Sequence, residues 1–179
     1  MFGPFTAHIQ KQIQSDKQVF SKAHACTEWF YKQLHKKPPR AAVEHVAYRT
    51  PLQTSRLIGE PADCAARYPG GLDAAREDFN RTQASLTVSL TFYEFALVGD
   101  RNDDGRYSAA ELQDVLESFG LSFQTERSPA VYLATLDAEF DTIRKAGGLE
   151  TLMTSMGFLY EKGYRFTSGD RAALNRVSQ

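Results

Sequence analysis

Cysteine is almost missing from this chain. Only Cys26 and Cys64 occur in 179 residues, too few for a disulfide scaffold of the kind that replaces a core in small secreted domains. One bridge or two buried thiols are both open, and the lack of a visible secretion signal in the start MFGPFTAHIQKQIQ leans toward free thiols. No run approaches the roughly 20 apolar residues of a membrane span, so no transmembrane segment is expected. No low-complexity tract, fixed-period repeat, glycine-rich phosphate loop or strand-borne nucleophile elbow is found. A formal net charge of -1 gives no reason to expect nucleic acid or a membrane surface as partner. The charge is uneven along the chain, however. Residues 1–50 carry eight Lys or Arg against three acids, and the remainder thirteen against nineteen.

What is present is enough apolar sequence for a core without staples, in a pattern that predicts an all-α fold. Residues 5–36 read as one long helix, with Ile9, Ile13, Phe20, Ala23, Trp29, Phe30 and Leu34 at helical spacing, ended by KKPPR at 36–40. Residues 41–70 are broken by prolines and glycines, leaving short pieces such as PLQTSRLI and PADCAARY. From Leu72 to Val98 neither breaker occurs. The β-branched residues of LTVSLTFYEFALV allow a strand, but length favours helix. SAAELQDVLESFG, SPAVYLATLDAEFDTIRKAGG, LETLMTSMGFLYEKG and TSGDRAALNRV supply further helices. The expected organisation is a basic helical region at 1–70 and a second helical region at 71–179, forming one compact unit.

Chemistry concentrates in DRNDDGRYSAAE, residues 100–111. Calcium is a hard cation that takes six to eight oxygens. Asp100, Asn102 and Asp104 stand at positions 1, 3 and 5, where three side chains converge on one ion. Gly105 follows where the chain must bend. Arg106 offers its backbone carbonyl at position 7 and Ser108 a hydroxyl or a bridging water at position 9. Glu111 closes the shell with two oxygens from the first turn of the next helix, where an anion is favoured. Asp103, at position 4, points off the ion. The segment resembles the EF-hand family, a helix, a twelve-residue loop and a helix, over residues 85–120. Phe92, Phe95 and Ala96 on one flank and Leu112, Val115, Leu116 and Phe119 on the other fit the family's paired apolar faces. Tyr107 stands at position 8, where the family usually has an aliphatic residue, and Gly99 where an aromatic is common just before the loop. Both departures touch packing more than ligation. The resemblance also implies a partner hand. FDTIRKAGGLETL, 140–152, has a suitable entry and exit but lacks ligands, and reads equally as a decayed hand or a plain helix-turn-helix.

Other constellations carry less. His8, His24, His35 and His45 suggest surface or cap residues, with His24 and Glu28 adjacent on a helix face. Cys26 and His24, two apart on a helix, point in different directions and make a poor nucleophile and base. WFYKQLHKKPPR reads as a helix end with aromatics inward and lysines in solvent, and Asn80-Arg81-Thr82 as an idle mid-helix glycosylation match. No catalytic set emerges, so an enzyme is not expected. The expected function is calcium binding through one EF-hand, calcium mainly ordering an interaction module with an unidentified protein partner. A sensor that exposes an apolar groove is the alternative, followed by an enzyme or assembly subunit with a structural calcium. Localisation is open: cytoplasmic as the chain stands, extracytoplasmic if a leader was removed.

Overall fold

A computed structural model describes residues 4–34, 44–45, 50–51 and 63–179. The fold is all-helical apart from one two-residue antiparallel pairing. In order the elements are α1 (Pro4–Gln33), β1 (Glu44–His45), β2 (Thr50–Pro51), α2 (Cys64–Arg67), α3 (Leu72–Gly99), α4 (Ala109–Ser118), α5 (Pro129–Ala146), α6 (Leu149–Glu161) and α7 (Ser168–Ser178). β1 and β2 pair Glu44 with Pro51 and His45 with Thr50. The expected KKPPR stop, His35 and residues 52–58 of the PLQTSRLI helix lie outside the described residues, while its first residue, Pro51, pairs in β2 and α2 occupies part of PADCAARY.

α3 is the axis of the molecule, and α1, α4, α5, α6 and α7 all pack on it. Its last three turns, from Val88 to Gly99, are buried on every side, which is why apolar residues there are not confined to one stripe and even Ser89, Thr91 and Glu94 are enclosed. α1 lies along it through Phe5, Ile9, Ile13, Phe20, Ala23 and Cys26, all fully buried. Leu34, counted with that stripe in the sequence, is half exposed at the helix end. Polar ties fix the same interface. The buried Asp16 accepts from Ser85 Oγ on α3 at 2.7 Å, and the same hydroxyl accepts from Arg144 of α5 at 3.2 Å. At the far end Lys17 donates to the carbonyl of Val177 at 2.5 Å, holding the last turn of α7 against α1. A cation suits that position at a helix C-terminus.

Cys26 and Cys64 form a disulfide, with their Cα atoms 5.2 Å apart, so the lean toward free thiols is overturned. Cys26 sits on the buried face of α1 between Ala23 and Phe30. The bridge anchors the four-residue α2 there, a piece too short to hold a position by its own packing. His24 corrects a second expectation. It is 4% exposed, stacked on Phe20 with ring centroids 6.2 Å apart, and burial lowers its pKa against the opposing pull of Glu28. With Cys26 oxidised, no thiol remains beside it. His8 is half exposed, 3.1 Å from Asp141.

Residues 140–152 resolve into the end of α5, a turn at Gly147 and Gly148, and the start of α6. Gly147 takes a left-handed φ of 68° and closes α5, with its own amide and that of Gly148 bonding back to carbonyls in the last turn. Two residues leave no ligand loop here. α5 and α6 are a helix-turn-helix, and both pack on α3 and α4.

Candidate metal centre

The loop begins where α3 must stop. Asp100 leaves helical geometry with φ -89° and ψ 84°, and the chain then turns through Asp103 (φ 57°) and Gly105 (φ 75°). Left-handed backbone suits glycine, and aspartate more than most other residues. α4 then starts at a capping box. Ser108 Oγ accepts from the Glu111 amide at 3.2 Å, and Glu111 Oε2 accepts from the Ser108 amide at 2.8 Å. The glutamate at position 12 is therefore fixed by the same bonds that nucleate the exit helix.

Carboxylates converge inside this turn. One oxygen each from Asp100, Asp104 and Glu111 lies within 4.8 Å of the others. Asp100 is 1% exposed and Glu111 4%, whereas Asp104 opens to solvent. Backbone amides hold them in place. Asp100 Oδ1 accepts from the Asp104 amide at 3.3 Å and Oδ2 from Gly105 at 2.8 Å. Glu111 Oε1 accepts from Asn102 at 3.1 Å and Asp104 Oδ1 from Arg106 at 2.8 Å. An ionised carboxylate has about four acceptor positions. Each oxygen bonded once to an amide keeps a lone pair for a cation. Burial pushes the pKa of Asp100 up to about 6, the amides of Gly105 and Asp104 opposing and the charges of Glu111 and Asp104 adding to the rise. Three such groups so close are unfavourable as anions unless a positive charge joins them.

The other sequence candidates take different places. Asn102 is exposed on the loop, its Oδ1 accepting from the Asp104 amide at 3.3 Å and its Nδ2 donating to Asp104 Oδ2 at 3.2 Å. Arg106 and Ser108 are exposed, and the hydroxyl of Ser108 serves the α4 cap. Asp103 lies against α7, where its Oδ2 accepts from Thr167 Oγ1 at 3.2 Å.

Tyr107 and Gly99, the two departures noted in the sequence, are partners. The hydroxyl of Tyr107 donates to the Ala96 carbonyl at 3.0 Å, laying the ring over the end of α3 and near Phe5, 6.2 Å between centroids. A Cβ at Gly99 would lie 3.1 Å from the Tyr107 ring and 2.7 Å from Val115 Cγ2. An aromatic at position 8 and a glycine before the loop thus permit each other. Behind the loop Phe92 stacks on Phe119, Phe95 packs tilted against both, and Phe92 also meets Phe140 at 4.8 Å. The flanking apolar faces meet each other and α5.

Sequence reasoning missed the neighbourhood of α7. The first turn of α7 is a capping box of Thr167 and Asp170, seated beside Asp103, and Tyr164 donates to Asp114 of α4 at 2.8 Å while Arg101 lies over its ring. The [ST]-x-x-[DE] spacing of Thr167 and Asp170 was readable as a helix start; its placement against a loop 64 residues earlier was not. No family model matches the chain, and neither a curated protein nor a solved structure does.

Proposed function

We propose that the protein is a calcium-binding module built on one EF-hand-type loop, with calcium ordering and stabilising the fold for contact with a protein partner. The observation that supports it most is the convergence of Asp100, Asp104 and Glu111 oxygens within 4.8 Å. Hard oxygens, anionic and partly buried, suit a calcium or magnesium ion and not a soft transition metal. Asp100, Asn102 and Asp104 would hold the ion by side chains, Arg106 by its carbonyl, Ser108 directly or through water, and Glu111 by both oxygens. What the ion supplies is charge neutralisation of three crowded carboxylates. The chain's own amides do the positioning. The reading is that of a binding module and not of an enzyme. Among the described residues no helix is long and apolar enough to cross a membrane. The Cys26–Cys64 bridge favours an oxidising, extracytoplasmic compartment for the working protein.

Calorimetric titration with calcium in excess magnesium tests the loop assignment. One calcium per chain is the expected result. Glu111→Gln should weaken binding at least about 100-fold, because it removes a bidentate anion that also anchors Asn102 and Ser108. Asp103→Asn should change it by about threefold at most, since that carboxylate faces α7. Equal losses in the two variants would refute the assignment.

A further inference from the structure

Asp103 and Asp170 meet where the loop touches the first turn of α7. A Cβ on Gly169 would fall 2.9 Å from Asp103 Oδ2, so this carboxylate lies directly over that turn. Asp170 is 1% exposed. Its Oδ2 accepts from the Thr167 amide at 2.7 Å, completing the capping box, while its Oδ1 is buried with no hydrogen-bond partner. Burial raises the pKa of Asp170, the bonds from Thr167 oppose it, and the Asp103 carboxyl adds to the rise both by its charge and as a side chain with which Asp170 can share a proton. Both aspartates line a cleft of about 410 Å³ between the loop, α1, α3 and α7, which Asp100 and Asp104 of the first site also line. Arg176, the cationic side chain lining it, is in ion-pair range of neither.

We propose that Asp103 and Asp170, with the hydroxyl of Thr167, hold a second divalent cation that keeps part of its water shell. An acidic pair alone would carry no such reading; the orphaned Oδ1 of Asp170 does. A buried carboxylate oxygen without a donor is costly, and the group facing it is a second carboxylate, which adds to the cost. A cation between them satisfies both. Two carboxylates and one hydroxyl are too few for the six to eight oxygens of calcium. They suit a magnesium-like ion, which binds through one or two carboxylates and retains several waters. The cleft has room for those waters at about 30 Å³ each. Such an ion ties the loop to α7, and it goes beyond the calcium reading because it does not require calcium in the loop.

Manganese serves as a paramagnetic probe. The full-length chain is saturated with calcium and titrated with Mn²⁺, free Mn²⁺ being read by electron paramagnetic resonance. The expected result is uptake of one Mn²⁺ per chain, displaced by magnesium. Asp170→Asn and Asp103→Asn should each weaken this uptake about tenfold or more, and Glu111→Gln should leave it in place. Asparagine keeps an acceptor for the Thr167 amide at 170 and tolerates left-handed backbone at 103, so the two variants control for each other's folding. No Mn²⁺ uptake by the calcium-saturated chain overturns the proposal. So does uptake that survives both aspartate variants, or that is lost only with Glu111→Gln.

Discussion

Asp100 carries the sharpest consequence for a single residue. Its pKa rises from 3.8 to about 6, chiefly through burial, so between those values the folded protein without cation holds more protons than the unfolded chain. Stability of the cation-free protein therefore falls as pH rises through that window. The effect, discounted for solvent screening, is at most about 3 kcal/mol above pH 6. Asp100→Asn should remove it. With chelator present the variant should be more stable than the parent at pH 7, by up to about 3 kcal/mol, and no more stable near pH 3.5. Excess calcium should reverse the order at pH 7, because calcium needs the carboxylate. Urea unfolding at the two pH values checks this; a variant less stable than its parent in chelator at pH 7 would contradict it. The convergence of Asp100, Asp104 and Glu111 was legible in the sequence because their spacing is local along the chain. His24 was not. It lies one residue beyond Ala23 on the apolar stripe, and its burial depends on Phe79 arriving from α3, 5.9 Å away between ring centroids. The meeting of Asp103 and Asp170 was hidden for the same reason.

At the scale of elements, the helices were readable where periodicity ran long, as in α1, or where a run without breakers ended at glycine or began at a capping box, as in α3 and α4. α2 was harder to read, since four residues have no period. Its position is set by a covalent bond whose formation depends on compartment as well as on sequence. Cys26 and Cys64 are 38 residues apart, and a bridge closing such a loop stabilises by about 3 to 4 kcal/mol in the chain-entropy model. The double variant Cys26→Ser, Cys64→Ser should lose about that much in urea unfolding. It should retain calcium binding, because the loop and its anchors lie on α3 and α4. A loss under about 1 kcal/mol would mean that packing already holds α2, and loss of calcium binding would mean that the loop depends on the bridge. The α5–α6 turn shows the limit of motif reading in the other direction. Phe140 and Leu152 mimic a hand's entry and exit because both are core residues of a helical pair, and core residues recur at similar spacing with or without a metal loop between them.

Across the whole molecule, one apolar cluster runs from Phe5 of α1 to Val177 of α7, with the loop's flanking helices inside it. That continuity bears on what a bound calcium would do. Phe92, Phe95, Leu112 and Leu116 are buried, and exposing even two of them costs about 3 to 6 kcal/mol. A single site filled at 100 times its dissociation constant returns about 2.7 kcal/mol. One ion is therefore too weak a drive to open the helix pair, and α5–α6 has no loop from which to add a second. Ordering is the outcome the magnitudes favour. The most direct measurement is a thermal melt of one sample with and without calcium, in constant magnesium, followed together by circular dichroism and by an apolar dye. The melting temperature should rise by about 2 to 8 °C, from a gain of about 1 to 2 kcal/mol, with dye fluorescence unchanged below the transition. A severalfold rise in dye fluorescence with the helical signal intact, or a melting temperature that calcium does not move, would contradict ordering by calcium.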